Sequence, residues 1–264
     1  MIAETLFEKL DRLAPERLAL SWDNPGLICG RRDKEIRKVM IALDATEEVV
    51  ERAVSSSCDL LLTHHPMIFK AVPKVNTDTP LGRKLIRLIT SDICCYAMHT
   101  NFDAAPGCMA DLVCERMGMR KEAPMLPAET DMPEDSTAGI GFLGMLSEPL
   151  TVPELCARIG EAFSLNGAVY YDAGKPVRRA AVCPGSGRGE LMRAAQLSAD
   201  VFITGDMGHH DGLDALDLGI SLIDAGHFGL EHLFVEFMRD YLLREAPELC
   251  IITDETDRRA FLRI

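Results

Sequence analysis

The chain has 264 residues, enough for one large domain or two smaller ones, and its 47% hydrophobic and 26% charged residues are typical of an ordinary soluble protein. The formal net charge of -13 opposes non-specific binding to nucleic acid and to anionic membranes, so we expect neither as a partner. A small anionic substrate would need local help from a metal ion or an arginine.

The N-terminal segment MIAETLFEKLD carries an acid at Glu4 and has no apolar core of a signal peptide. No apolar run approaches the ~20 residues that a membrane span needs. We therefore expect a cytoplasmic protein. The nine cysteines include no CxxC pair, and most lie in apolar runs, which predicts buried free thiols at Cys58, Cys94, Cys95, Cys183 and Cys250.

In the first half of the chain, amphipathic stretches alternate with short apolar runs, the pattern of helices and strands in turn. Near the start, SWDNPGLICG is predicted to turn at its prolines and glycines, and Trp22 within it is interpreted as a packed anchor for that loop. The predicted helices cover residues 3–14, 46–56, 80–90 and 107–118, and the predicted strands cover residues 39–43, 59–63 and 93–98.

Residues 120–137 hold three prolines and five acids with little apolar periodicity, which predicts a linker or an exposed loop. This places one α/β lobe at residues 1–128 and a second at residues 129–264. Beyond the linker, Thr151 opens a helix with a T-x-x-E capping box that ends at Glu154. The other predicted elements are strands at 139–145, 166–172 and 178–183 and a helix at 188–198.

The second half of the chain repeats the pattern of the first. Asp59 precedes the apolar run LLLT as Asp200 precedes VFIT, and the next predicted strand in each half leads to a His-x-x-x-acid sequence. We therefore predict an α/β fold of two duplicated lobes with largely parallel or mixed sheets. Corresponding strand ends would face each other across a shared cleft, where a metal site is expected.

The seven histidines follow predicted strands in small groups, which is where α/β proteins place their sites. Imidazole and carboxylate together suit divalent transition metals. His64 and His65 point in opposite directions if the chain is extended there, which favours two ions over one. The structural alternative is a histidine pair that caps the strand end. The candidate metal ligands are His64, His65, Asp103, His227 and Glu231, and metal-assisted hydrolysis is the predicted reaction class.

The other histidines fall outside this ligand set. His99 is interpreted as the proton carrier or as a group that orients a ligand, because five ligands already suffice for two ions. His209 and His210 line the cleft or lie in a solvated loop, with neither favoured. His232 is assigned to the core or the surface. The turn CPGSG (183–187) is an ordinary turn more often than a phosphate cradle.

Taken together, the motifs SWDNPGL, LLLTHHP, HTNFD, PGSG, GD followed by HHD, and LIDAGHFGLE occur in the order of the Nif-three-like family. Proteins of this family are also called GTP cyclohydrolase type 2 homologues, and the resemblance covers nearly the whole chain. It implies an intertwined two-lobe α/β fold and a ring-shaped homohexamer whose metal sites face an inner cavity. The chain lacks the long insert of some relatives, and in GDMGHHD the residue after GD is uncharged where many relatives carry a charge.

Carried over by motif, the resemblance implies two divalent ions per chain, zinc, iron or manganese, held by the same five residues. GTP cyclohydrolase chemistry opens the guanine imidazole ring and releases formate. The first functional hypothesis is therefore a dinuclear metal-dependent hydrolase that acts on a nucleotide or similar small anion. The alternative is a non-catalytic metal-binding or regulatory protein that acts through its homo-oligomer.

Overall fold

A computed structural model describes residues 1–128 and 137–254 of the chain. The strands are β1 Gly26–Cys29, β2 Lys38–Ala42, β3 Leu60–Thr63, β4 Cys94–Ala97, β5 Arg120–Pro127, β6 Gly139–Leu150, β7 Val169–Tyr171, β8 Val177–Ser186, β9 Val201–Gly205, β10 Ser221–Asp224 and β11 Cys250–Thr253. The helices are α1 Ala3–Leu13, α2 Glu47–Ser55, α3 Pro80–Thr90, α4 Thr100–Ala104, α5 Met109–Arg116, α6 Val152–Ala162, α7 Leu191–Gln196, α8 His209–Asp217, α9 His227–Glu231 and α10 Leu233–Glu245. Short 3-10 helices lie at Glu16–Leu18 and Arg188–Glu190.

The chain folds into two compact units, and the first of them is formed by two separate segments of the chain. The first unit contains Met1–Phe102 together with the described residues from Phe234 onward. The second unit contains Asp103–Leu233. This division differs from the predicted lobes at 1–128 and 129–264. The physical reason is strand pairing, because β5 joins the sheet of the second unit and β11 joins the sheet of the first.

The first unit is built on a five-stranded mixed sheet in the order β1-β4-β3-β2-β11. Strands β2, β3, β4 and β11 are parallel, and β1 runs antiparallel to β4. Every residue of β3 and β4 is buried, as expected for parallel strands that are covered on both faces. Val49 and Val50 of α2 and Leu88 of α3 pack on this sheet in one apolar cluster.

The second unit is built on a six-stranded mixed sheet in the order β5-β6-β8-β9-β10-β7. Its central strands β8, β9 and β10 are parallel, while β5, β6 and β7 pair antiparallel with their neighbours. Helices α7 and α8 contribute Ala194 and Ala215 to its apolar cluster, together with Phe202 of β9. The mixed α/β fold predicted from the sequence is confirmed.

The predicted duplication appears as the same strand arrangement in each unit. The order β1-β4-β3-β2 of the first corresponds to β7-β10-β9-β8 of the second, including the antiparallel edge strand. Before β3, the carboxylate of Asp59 accepts hydrogen bonds from the backbone N–H groups of Arg37 and Lys38 at 2.9 and 3.0 Å. Before β9, the carboxylate of Asp200 accepts the corresponding hydrogen bonds from the backbone N–H groups of Arg178 and Arg179 at 2.9 and 2.8 Å.

The predicted linker is wrong for residues 120–127, which form strand β5. This strand lies at the edge of its sheet and pairs only with β6 among the described strands. An edge strand tolerates Pro124 and Pro127, since a missing backbone N–H there removes no hydrogen bond from the sheet interior. Residues 129–136 of the predicted linker lie outside the described residues.

Several local predictions can be checked directly. The capping box of α6 is confirmed, because Thr151 Oγ1 accepts from the Glu154 N–H and the Glu154 carboxylate accepts from the Thr151 N–H. All nine cysteines keep their thiols and form no disulfide. The prediction that Cys250 is buried is wrong, since it is exposed on the edge strand β11.

Within residues 1–128 and 137–254, no helix is sufficiently long and apolar to span a bilayer.

Candidate metal centre

The two adjacent histidines of the LLLTHHP motif lie just beyond the end of β3. The strand ends at Thr63, and the Thr63 hydroxyl donates to the carbonyl oxygen of His65, which bends the chain there. The rings of His64 and His65 therefore lie side by side, with centroids 4.9 Å apart. The prediction that they point in opposite directions is wrong, because it assumed that the extended strand continues through them.

His99, which follows β4, completes a three-histidine group in the first unit. Its ring centroid lies 5.3 Å from that of His64 and 5.5 Å from that of His65. The three residues offer ring nitrogens that all lie within 4.8 Å of one another, so the group could hold a metal ion. Neighbouring parallel strands β3 and β4 bring the histidines together, since parallel strands end at the same edge of a sheet.

The same ring nitrogen of each histidine in this group is already engaged. Nδ1 of His64 is 2.7 Å from the carbonyl oxygen of Met98, and Nδ1 of His65 is 2.8 Å from Oδ1 of Asp44. Nδ1 of His99 is 2.8 Å from Oδ1 of Asp23. Histidine ligands of metals typically donate their other ring N–H to a carbonyl or carboxylate, which fixes the tautomer and the ring orientation. The arrangement therefore fits a divalent transition metal held by Nε2 of His64 and His65, with the ring of His99 close beside it.

Asp23 is the most strongly held carboxylate of this group. Its side chain is fully buried, and it accepts from His99 through Oδ1 and from the N–H and hydroxyl of Thr100 through Oδ2. Burial alone would raise the pKa of Asp23, but the hydrogen bonds from His99 and Thr100 and the charge of His99 outweigh it and lower the pKa to about 2. Asp23 is therefore ionised at neutral pH and orients the ring of His99.

The interpretation of Trp22 as a packed anchor is wrong. Its side chain is 59% exposed, although the ring lies 6.0 Å from that of His99. The loop is anchored instead by polar groups on either side of Trp22, because the N–H of Leu20 donates to the Thr100 hydroxyl and Asp23 accepts from Thr100.

In the second unit, the sequence GHFGLE forms the short helix α9. His227 is its first residue and Glu231 its last, so both side chains lie on the same face, and His227 Nε2 is 3.0 Å from Glu231 Oε2. Nδ1 of His227 is 2.7 Å from Oδ2 of Asp206, which follows β9. His227 thus shows the same engagement of Nδ1 as the three histidines of the first unit.

Buried negative charge surrounds this helix. Glu231 is 2% exposed and Asp103 is 9% exposed. Burial, followed by the charges of Asp103, Glu190 and Glu231, raises the pKa of the Cys183 thiol far above its ordinary value. Cys183 therefore stays a neutral thiol. Two buried carboxylates beside one thiol are stabilised best by a nearby cation.

The glycine-rich segment CPGSG (183–187) packs against the same side chains. The predicted turn is wrong for residues 183–186, which form the end of β8, where the pairing with β9 is irregular. Gly185 has a φ of 71°, and a Cβ there would lie 2.1 Å from Glu231 Oε1 and 3.5 Å from His227 Nε2. The glycine therefore leaves room for the carboxylate of Glu231. Phosphate contact at this segment stays the less favoured alternative.

The remaining histidines lie apart from these groups. His209 and His210 are exposed at the start of α8. His232 stacks on Phe228 and holds its Nδ1 3.0 Å from the Gly229 carbonyl oxygen, so it is a packing residue as predicted. Sequence reasoning missed the carboxylates that orient the histidines, Asp23, Asp44 and Asp206. The available signal for Asp44 and Asp206 was an acid shortly after a strand, in IALDA and FITGD, whereas Asp23 lies before β1 and gave no such signal.

The family model for Duf34/NIF3 (NGG1p interacting factor 3) matches residues 1–258 of this chain. The chain belongs to the Duf34/NIF3 family. Among curated members named GTP cyclohydrolase 1 type 2 homolog, it is 38% identical to that of Clostridium perfringens over 223 residues, 84% of each chain. It is 35% identical to that of Clostridium acetobutylicum over 223 residues, which cover 84% of this chain and 82% of the relative.

Solved structures agree with this assignment to the Duf34/NIF3 family. Staphylococcus aureus protein SA1388 is similar with a TM-score of 0.87 and 26% identity, covering 100% of this chain and 99% of its own. Reduced HcgD from Methanocaldococcus jannaschii is similar with a TM-score of 0.84 and 27% identity, over 97% and 98% of the two chains. The family predicted from the sequence motifs is confirmed.

Proposed function

We propose that this Duf34/NIF3 protein binds two divalent metal ions and hydrolyses a small anionic substrate of the nucleotide class. The proposed ligand set is His64, His65, Asp103, His227 and Glu231. The metal is zinc, iron or manganese, which this donor chemistry accepts alike. The name of the curated relatives, GTP cyclohydrolase 1 type 2 homolog, supports a purine nucleotide as the substrate.

The observation that carries the proposal is the shared orientation of the histidines. His64, His65 and His99 each engage Nδ1 with an oxygen, while one ring nitrogen from each lies within 4.8 Å of the others. A histidine pair that only caps a strand would not need a third imidazole at this distance. In the second unit, His227 engages Nδ1 with Asp206 in the same way.

The chain's own residues have distinct roles in the proposed reaction. When bound, the ions supply Lewis acidity toward the substrate and lower the pKa of water. His99 carries the proton at Nε2, because its Nδ1 is engaged by Oδ1 of Asp23. The buried carboxylate of Asp23 keeps the imidazole in one orientation throughout, which limits the reorganisation that proton transfer requires.

The first test is the metal content of the purified protein. We expect about two equivalents per chain by plasma mass spectrometry of tag-free protein prepared without chelator. His65→Ala and Glu231→Ala should each lower the content, because each removes a proposed ligand. His210→Ala is the matched control, since His210 is an exposed histidine of α8, and it should retain the full content. Less than half an equivalent after reconstitution with zinc, iron and manganese would overturn the metal proposal.

The second test separates the enzyme from a non-catalytic metal-binding protein. Metal-loaded protein is incubated with a panel of nucleotides that includes GTP, and formate and ring-opened products are measured. Turnover that is lost in His65→Ala while circular dichroism is unchanged supports the hydrolase. Full metal content without turnover on the panel would favour the regulatory alternative.

A further inference from the structure

Two exposed aromatic side chains flank the three-histidine group of the first unit. Trp22 is 59% exposed and Phe69 is 47% exposed, and their ring centroids lie 6.5 Å apart with planes inclined by 35°. Both rings meet the imidazole of His99 nearly at right angles, at 6.0 and 5.6 Å between centroids. The two rings therefore lie directly beside the proposed site of chemistry.

The loops that carry these rings are fixed by polar contacts. Asp23, next to Trp22, accepts from the N–H and hydroxyl of Thr100 and from His99. Asn24 donates from Nδ2 to the carbonyl oxygen of Ile68, the residue before Phe69, at 2.8 Å. This bond ties the loop of Trp22 to the loop of Phe69, so the two rings keep a defined relative position.

Exposing two large aromatic rings on fixed loops is unfavourable unless something covers them. Such side chains bury about 150–250 Å² each when they pack, and here about half of that burial is forgone. Neither ring supports its own loop, because the polar groups of Asp23 and Asn24 do so. A planar ring stacked parallel to Trp22 or Phe69 would also be steeply inclined to the His99 ring, and it would lie on side chains that contact the histidine group.

We propose that Trp22 and Phe69 form a stacking platform that binds the heteroaromatic ring of the substrate beside His99. The role of the platform in the reaction rests on the proposed function. The binding of the ring does not, because stacking needs no metal. Stacking on an aromatic side chain recognises the π-face of a base and contributes strongly to nucleotide binding. The occupant is thus a planar nitrogen heterocycle such as a purine base.

The sole tryptophan allows a direct test, because the intrinsic tryptophan fluorescence of the chain comes from Trp22 alone. Guanosine is titrated into protein stripped of metal with chelator, with ribose as the probe that lacks a base. We expect saturable quenching by guanosine and none by ribose. Phe69→Ala should weaken guanosine binding about tenfold, as the loss of one base stack does, and Phe69→Tyr should restore it.

Controls separate this proposal from the metal proposal and from self-association. Tyr170→Ala, which removes an equally exposed aromatic ring from β7, should leave guanosine affinity unchanged. Tripolyphosphate, which has no ring, should bind metal-loaded Trp22→Ala as it binds the wild type in calorimetry. If guanosine fails to quench while tripolyphosphate binds, the stacking platform is overturned and the metal proposal stands. If Trp22→Ala and Phe69→Ala instead reduce the molar mass in light scattering and leave guanosine affinity unchanged, the rings are an interface between copies and the proposal is overturned.

Discussion

At the scale of single residues, the carboxylate of Asp23 stabilises the folded chain only while it is ionised. Its pKa is about 2 in the folded protein against an ordinary 3.8. The contribution is therefore fully present above about pH 4 and is lost as the pH falls through about 2. The shift corresponds to roughly 2 kcal/mol of unfolding free energy.

We expect Asp23→Asn to be less stable than the wild type by up to about 2 kcal/mol near pH 6, and the difference to shrink toward pH 2.5. Urea unfolding of metal-free protein at several pH values measures this. A stability difference that stays constant across the range would show that the charge of Asp23 is not the cause.

Gly185 provides a second residue-scale prediction. Gly185→Ala places a Cβ 2.1 Å from Glu231 Oε1, and its φ of 71° adds backbone strain. Gly174 is the matched control, because its φ is 73° but a Cβ there meets nothing within 4 Å. We expect both variants to lose roughly 1–2 kcal/mol of stability from strain. Gly185→Ala alone should also lower metal content, measured by plasma mass spectrometry. Equal metal content in the two variants would contradict this.

At the scale of elements, an aspartate before the central strand holds two neighbouring strands in register in each unit. Asp59 and Asp200 each accept two backbone N–H groups from the preceding strand. Hydrogen bonds to a charged acceptor contribute roughly 1.5–3 kcal/mol, so Asp59→Ala and Asp200→Ala should each destabilise the protein by about that amount.

Denaturant unfolding of these two variants is compared with Asp33→Ala. The side chain of Asp33 is 85% exposed and contacts only the exposed Arg31 among the described ion pairs, so its removal should change stability by less than about 0.5 kcal/mol. If Asp200→Ala behaves like Asp33→Ala while Asp59→Ala does not, the two aspartates are not equivalent and the duplication does not extend to this interaction.

At the scale of the whole molecule, metal binding should raise thermal stability by mass action. At about a hundredfold excess of free ion over the dissociation constant, the native state gains roughly 2.7 kcal/mol. We expect the unfolding midpoint of chelator-treated wild type to rise by about 5 °C or more on adding zinc. The rise should be smaller in His65→Ala and unchanged in His210→Ala, as measured by scanning calorimetry. An equal rise of the unfolding midpoint in all three proteins would show that His65 is not a ligand of the bound zinc.

The homohexamer implied by the resemblance stays a prediction at this scale. Light scattering of the full chain gives its molar mass directly. A small-molecule substrate is likewise a proposal, whose test is the turnover screen above.

The sequence alone determined the types of most predicted elements, the internal repeat and the residue types suited to metal. These follow from local patterns: apolar periodicity for α1 and α3, a capping box at Thr151, and histidines that follow apolar runs. It also determined the family, because six motifs in a fixed order are far more specific than any one of them.

Only the tertiary structure decided how these pieces are arranged. Residues 120–127 have no apolar periodicity, yet they form a strand because β6 supplies a partner, and pairing with a distant segment leaves no local signal. The side-by-side rings of His64 and His65 depend on a bend after Thr63, and the partners of their Nδ1 atoms are remote in sequence. Trp22 is exposed because Asp23 and Asn24 anchor its loop through Thr100 and Ile68. Such contacts join residues that chain order does not relate, which is the physical reason that the fold was needed to find them.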